Sequence, residues 1–536
     1  MVWIALGPPS RRPSAGRLAD KANQRTMSVP PSPAAALIDG LQQMLQTATG
    51  RPVRRVETHI SWVLLDGEFA WKVKKPVRLG FLDFSALEAR RHGCEEELRL
   101  NRRLAPAIYL DVVPIYGSAT APRLGGDGKP IEYALRMEQF AAGALLSERL
   151  AAGSLATTAI DRLAARLAAF HAAAPAAAGE TPYGAPAAIL AATSKVLGGL
   201  QAQVGARTVA DLHDWCAAQG RRLRARFVAR KCRGWVREGH GDLHLDNLVT
   251  LGDGVTAFDC VEFDPGLRWI DVQSDIAFLT MDLTAHGRSD LAWRFLDRWL
   301  EATGDHAGVA VLRYYAVYRA LVRALVTGLR RAEGLASAGP DYVGTARRLA
   351  AAGDARLLIT HGLSGSGKSH VAQRVLEVAG AIRLRSDVER KRLFGLHPLD
   401  ASAPVAHDIY APAATRRTYT RLRESAAAVL DAGYPVIVDA AFLRARERDA
   451  FCRLADRKGV PFTILHCHAD PAVLRQRVQA RSTRRDDASE ADLAVLERQL
   501  RDHDALSPDE DLVCITVDTN APLDVNAIAR RWKAAR

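Results

Sequence analysis

Residues 362–369 read GLSGSGKS, one residue after the apolar run RLLIT and ahead of a helix-forming stretch. A buried strand, a glycine-rich turn and a helix in that order leave few folds open. The turn must wrap an anion, because its backbone N–H groups point inward and the helix start adds a positive dipole end. Gly362, Gly365 and Gly367 supply the turn, Lys368 reaches β- and γ-phosphate oxygens, and Ser369 is placed to ligate Mg²⁺. The expected nucleotide-binding segment is therefore Gly362, Leu363, Ser364, Gly365, Ser366, Gly367, Lys368, Ser369 and His370.

From residue 356 onward strand-like and helix-like stretches alternate: RLLIT, AIRLRS, VIVDA, FTILHC and LVCITVD are separated by helical segments. That alternation predicts a parallel sheet covered by helices on both faces. Asp439 ends the third strand, where it would orient metal or water; capping the next helix is the alternative role. Asp387 follows the second strand, at the carboxyl edge where ligands bind, and would take a proton from an attacking hydroxyl. Arg385 and Arg390 flank it and would grip an anionic substrate. Arg475, Arg477, Arg481, Arg484 and Arg485 crowd into the segment before the last strand. They match a lid, with Arg477 and Arg481 expected over the transferred phosphoryl group.

A second pattern lies upstream. Residues 240–247 read HGDLHLDN, and after Asn247 the runs LVTL and VTAF flank Gly252-Asp253-Gly254. This predicts a hairpin with Asp253 at its tip and Asn247 and Asp259 meeting at its base, an oxygen pair suited to Mg²⁺. Asp242 would accept the proton of a substrate hydroxyl. Earlier, HISWVLLDGEFAWKVKK predicts a hairpin around Asp66-Gly67, with Lys72 and Lys74 on one face of its second strand. One of the two, Lys72 by preference, would contact the α- and β-phosphates, held by Glu97 from the following helix. RMEQF, with Met137 and Gln139, would be the segment whose backbone reads adenine. No glycine-rich phosphate cover is found at THIS, 58–61.

Residues 36–335, through His240, Asp242, Asn247 and Asp259 with Lys72 and Glu97, resemble the aminoglycoside phosphotransferase-like branch of the protein-kinase-like fold. The resemblance implies that Asp242 is the catalytic base, that Asn247 and Asp259 bind Mg²⁺, and that Asp275 is structural. The last third is similar to small P-loop kinases of the gluconate kinase, polynucleotide kinase and zeta-toxin type, and is short for an AAA-type motor. Joined, the halves resemble bifunctional aminoglycoside phosphotransferase-like/ATP-binding proteins. The expected fold is thus an α+β protein-kinase-like N-terminal domain over 36–340, preceded by a disordered extension over 1–35 and followed by an α/β P-loop NTPase domain over 353–536. The stretch GLASAGPDYVG is the expected linker.

The expected cofactors are ATP and Mg²⁺, and the expected acceptor is a hydroxyl of a small molecule. Two alternatives stand beside that: a polynucleotide 5′-hydroxyl kinase in the P-loop half, or one half serving as a silent nucleotide sensor. The net charge of +13 fits anionic partners, nucleotide or nucleic acid, as well as a basic surface from Arg-rich coding. Seven cysteines without a Cys-x-x-Cys pair point to free thiols in a reducing compartment, so the cytoplasm is expected. His466 and His468 share a strand face, but no further metal ligand accompanies them. No apolar run is long enough to span a bilayer, no secretory signal is expected, and Met27 is an alternative start.

Overall fold

In a computed structural model, residues 32–79, 82–252, 254–332, 339–402, 409–484 and 487–535 are described. Most of the expected N-terminal extension, the hairpin tip Asp253 and residues 334–338 of the expected linker lie outside the described residues. The chain forms two compact units: Met1–Leu155 with His240–Arg268, and Ala156–Gly239 with Trp269–Arg536.

The first unit is built on a six-stranded antiparallel sheet. Its strands run Arg54–Glu57, Ser61–Leu65, Phe69–Lys74, Glu132–Glu138, Tyr109–Ser118 and Ala121–Leu124 in spatial order. Side-chain alternation splits it into two apolar faces. Leu64, Trp71 and Val73 pack with Leu37, Ile38, Leu41 and Leu45 of helix Pro33–Thr49. The other face, with Val63, Ala70 and Leu135, packs on Cys94 of helix Leu87–Asn101 and on Val249 and Phe258. Lys72 and Lys74 share that second face, so they enter the core rather than solvent. The expected turn is present: Asp66 accepts from the N–H groups of Glu68 and Phe69 and from Trp71 Nε1.

The second unit contains a five-stranded parallel sheet in the order Ile382–Arg385, Val436–Asp439, Leu357–His361, Phe462–His468 and Cys514–Asp518. Every strand read from the alternation is there. Leu358, Ile437 and Leu465 pack on Val371 and Leu376 of helix Lys368–Ala379 and on Trp532 of helix Val525–Ala534. The sheet shares its unit with helices from the middle of the chain. Arg294 of helix Ser289–Thr303 pairs with Glu377 at 2.8 Å, and Arg313 lies 4.7 Å from the centre of the Tyr434 ring. A Cβ at Gly380 would stand 2.9 Å from Trp293 Nε1, so this approach needs glycine.

The fold class is the one expected: a protein-kinase-like α+β half joined to an α/β P-loop half with a parallel sheet. Trp532 is fully buried and its Nε1 makes no hydrogen bond, so its contribution is packing alone. Trp532→Ala should lower the unfolding free energy of the second unit by about 3–5 kcal/mol, and Trp532→Phe by less than half of that, in denaturant titrations.

Candidate functional site

The first site gathers on the buried face of the antiparallel sheet. Lys72 Nζ donates to Glu97 Oε1 at 2.6 Å and to Asp259 Oδ1 at 2.7 Å. Lys74 Nζ donates to Glu97 Oε2 at 2.5 Å and also to Glu262. Glu97 therefore holds both lysines, one per oxygen, which is why spacing alone left the choice between them open. Of the two lysines, Lys72 is the one hydrogen-bonded to Asp259. Formally the cluster joins two ammonium groups to three carboxylates, all buried. Burial works against the Lys72 ammonium, yet Asp259 and Glu97 outweigh it and hold its pKa well above the ordinary value. Burial likewise pushes Asp259 up, but Lys72 wins and keeps that carboxyl below its usual range. At Glu262 burial wins over Lys74, and the pKa is raised.

The HGDLHLDN stretch, 240–247, lies against these residues. His240 Nε2 is 2.9 Å from the Phe258 carbonyl oxygen, and the Val261 N–H donates to the His240 carbonyl. Asn247 Nδ2 donates to both the backbone oxygen and Oδ2 of Asp242, each at 2.9 Å. His244 Nε2 lies 3.3 Å from Asp242 Oδ2. Asn247 Oδ1 is buried and accepts no hydrogen bond, which suits an oxygen ligand for a hard cation.

The hairpin differs from expectation by one residue. Its strands are Leu248–Leu251 and Gly254–Ala257, with Leu251 paired to Gly254, so Asn247 stands opposite Phe258 rather than Asp259. Gly254 joins the strand, and the turn is shorter than the three-residue one expected. Asp259 instead takes up a left-handed backbone, φ 63°, and its N–H donates to the Tyr109 hydroxyl. That conformation breaks the strand alternation and turns the carboxylate toward Lys72.

Of the two residues expected at the adenine contact, Met137 lies within strand Glu132–Glu138 and Gln139 directly follows it. Met137 is buried in the core and faces strand partners on both sides, Ala70 and Tyr109. Gln139 donates its N–H to the Glu68 carbonyl and accepts from the Gly67 N–H. Glu262, Tyr109 and Asn101, which accepts from the Cys260 N–H, were missed from sequence. Only Glu262 had a signal, its place three residues after Asp259.

The second site sits at the carboxyl end of the parallel sheet. Gly362 has φ 145°, and a Cβ there would lie 2.3 Å from the Cys467 carbonyl oxygen. Gly365 and Gly367 also have positive φ, and Lys368 Nζ curls back to the Leu363 carbonyl at 2.8 Å. The Ser364 N–H donates to Gln499 Oε1, a partner that the spacing did not foretell. His370 points outward and is exposed. Ser369 Oγ donates to Asp439 Oδ1 at 3.1 Å, while Asp439 Oδ2 is buried and accepts no hydrogen bond. The hydroxyl, the carboxylate and this open oxygen fit a magnesium site. Burial lowers the Lys368 pKa and Arg481 adds to the effect, with Asp439 and Asp387 opposing it. Asp387 lies in the first turn of helix Ser386–Leu393, directly after its strand, and is half-buried.

The arginines are largely spoken for. Arg477 donates to the Gly365 carbonyl, to Thr519 Oγ1 at 2.8 Å and to the Thr519 carbonyl at 2.8 Å. Bonded to the Gly365 carbonyl and to Thr519, it props the glycine loop from outside rather than reaching over a phosphoryl group. Arg481 donates to the Ala491 carbonyl, and the side chains of Arg484 and Arg485 lie outside the described residues. Arg390 is buried on the Ile409 carbonyl and Thr415, and Arg385 is held by Glu301 and Asp487. Arg385 is thus committed to protein partners, whereas the buried Arg390 Nε has no hydrogen-bond partner among the described residues. His361 Nδ1 lies 2.7 Å from His466 Nδ1, and no group of three metal-ligating side chains occurs among the described residues. The seven cysteines are free, as read.

Fold and site together define a two-part chain, a protein-kinase-like α+β half followed by a P-loop half. The family model for the AAA domain matches residues 357–506. The protein described as "Uncharacterized protein Rv2004c", from Mycobacterium tuberculosis, is 30% identical over 462 residues, 84% of this chain and 90% of that one. The chain belongs to the family of that protein. Among solved structures, a sugar kinase from Janibacter sp. HTCC2649 covers 33% of this chain and 94% of its own at 24% identity and TM-score 0.26. A choline kinase from Cryptosporidium parvum Iowa II covers 58% of this chain and 93% of its own at 10% identity and TM-score 0.36. No helix among the described residues is long and apolar enough to cross a membrane.

Two buried imidazoles of the second unit give it a pH signature. His361 is pushed down to about 3 by burial, then by His466, Arg448 and Lys368, and His306 to about 3 by burial, then by Arg392 and Arg421. In the unfolded chain both take up protons below the ordinary value of 6.5, while the folded unit resists until near 3. Stability is therefore complete above pH ~6.5 and falls progressively toward pH ~3. The denaturant midpoint should be lower at pH ~5 than at pH ~7.5, and His361→Gln should narrow the gap.

Proposed function

We propose that the chain is an ATP-dependent phosphotransferase with two magnesium-nucleotide sites, each transferring the γ-phosphoryl group to a hydroxyl of a small-molecule acceptor. One recurring feature carries this reading. In both units a buried oxygen that accepts no hydrogen bond from the described residues, Asn247 Oδ1 or Asp439 Oδ2, belongs to a side chain bonded to a residue expected in the chemistry, Asp242 as base or Ser369 as magnesium ligand. The functional division we propose follows the sequence, 36–340 and 353–536, although the compact units are drawn differently. A cytoplasmic setting accords with the free thiols.

In the first site Lys72, kept charged by Asp259 and Glu97, binds phosphate oxygens, and Lys74 with Glu262 braces Glu97 from the other side. Asp242 is oriented by Asn247 and lies within reach of His244. It takes the proton of the acceptor hydroxyl as that oxygen bonds to the γ-phosphorus and the bridging oxygen leaves with ADP. In the second site Lys368 leaves the Leu363 carbonyl for the β- and γ-phosphates, and Asp387 takes the hydroxyl proton. Magnesium held by Asn247 and Asp259, or by Ser369 and Asp439, would neutralise charge on the triphosphate.

ATP consumption measured over a metabolite library with mass detection of one added phosphate tests the reading. Asp242→Ala should cut turnover of one acceptor, and Lys368→Ala that of another, by about 100-fold or more. The double variant should be inactive. Unchanged ATP consumption in both single variants would remove both assignments, and labelling of 5′-hydroxyl oligonucleotides would redirect the second site to nucleic acid.

A further inference from the structure

Asp439 is approached by two guanidinium groups that stand at ion-pair range but beyond hydrogen-bond distance. Arg383 Nη1 lies 3.7 Å from Asp439 Oδ2, and Arg385 Nε lies 3.8 Å from the same oxygen. Both arginines belong to strand Ile382–Arg385, next to the strand that ends in Asp439. Unopposed, two positive charges at that range would close on the carboxylate and compete with any cation for it.

What holds them off comes from the middle of the chain and from the P-loop half itself, where Arg383 Nη1 also donates to the Ser369 carbonyl at 3.3 Å. Arg383 Nη2 pairs with Asp297 Oδ2 at 2.9 Å and donates to Gln373 Oε1 at 2.6 Å. Arg385 Nη1 pairs with Glu301 Oε1 at 2.8 Å, and its Nη2 with Asp487 at 3.0 Å. Asp297 and Glu301 lie one turn apart on helix Ser289–Thr303, which precedes the glycine loop by more than fifty residues and belongs to the same compact unit. The pairs are well buried: both side chains of the Arg383–Asp297 pair are 2% exposed. Burial works to raise Glu301, but Arg385 and Arg383 outweigh it and keep that carboxyl below its ordinary range. Arg298 also pairs with Glu301, at 3.2 Å.

We infer that Asp297 and Glu301 are positioning residues of the P-loop site: by engaging Arg383 and Arg385 they keep Asp439 Oδ2 open to magnesium. A helix of the kinase-like sequence segment thereby sets the cation affinity of the other half. This rests on the reading of the P-loop as a magnesium-nucleotide site.

The test uses the full chain and fluorescent mant-ADP, with the P-loop signal defined as the part lost in Lys368→Ala. Mg²⁺ is titrated into each variant, and nucleotide affinity is measured separately in EDTA. Glu301→Gln should raise the Mg²⁺ concentration at half-saturation by about tenfold, the scale of one charge-assisted hydrogen bond, with affinity in EDTA changed less than about twofold. Adding Arg385→Gln to Glu301→Gln should restore the Mg²⁺ response. An unchanged Mg²⁺ response, an equal loss in EDTA, or failure of the double variant to recover would overturn the inference. Should Glu301→Gln not fold, Arg385→Gln alone decides: Mg²⁺ binding as tight as the parent's or tighter supports it, weaker binding sinks it. If Lys368→Ala removes no signal from the parent chain, the P-loop reading itself fails, and the inference falls with it.

Discussion

A charge taken out of water costs several kcal/mol unless its counter-charge is buried with it. Both candidate sites are arranged around that constraint. In the first unit Glu97 meets it by giving one oxygen to each of two lysines, and Asp259 and Glu262 complete the set. No member can leave without stranding another, so strand Phe69–Lys74, helix Leu87–Asn101 and the segment after the hairpin are held in one geometry. In the second unit Arg383 and Arg385 play the corresponding part between Asp439 and helix Ser289–Thr303.

These networks explain why the compact units cut across the sequence order. His240–Arg268 joins the antiparallel sheet through Asp259 and Glu262, while the helices on either side of it join the parallel sheet's unit. Gly380 against Trp293, Arg294 with Glu377 and Arg313 over Tyr434 make that union a packed one. A division by sequence pattern and a division by contact answer different questions, ancestry in one case and cohesion in the other.

Local pattern was a good guide wherever one element fixed the outcome. The glycine loop, Ser369 beside Asp439 and the strand after each helix were legible, because a strand–turn–helix unit is decided by its own residues. The Lys72–Glu97 pair was legible too, since period-two spacing put both lysines on one face and left one acidic helix to meet them. The hairpin register was not. A two-residue and a three-residue turn around Gly252 and Gly254 look alike in sequence, and the left-handed Asp259 makes good the difference. The arginines misled for another reason: Arg477 and Arg390 are placed by spacing, but Arg477 is bound to Gly365 and Thr519, and one guanidinium nitrogen of Arg390 to the Ile409 carbonyl and Thr415.

The sequence by itself determined the two fold classes, the phosphate loop and the order of the residues that converge in each half. The parallel sheet and the glycine loop follow from short-range periodicity and from the backbone freedom of glycine, and the kinase-like class from the resemblance carried by His240, Asp242, Asn247 and Asp259. Tertiary structure alone decided which lysine meets Asp259, which arginines are free, and that Asp297 and Glu301 stand guard over Asp439. Such pairings depend on where long, flexible charged side chains find partners once the core has closed, and partner choice in a buried network is set by desolvation rather than by neighbours along the chain.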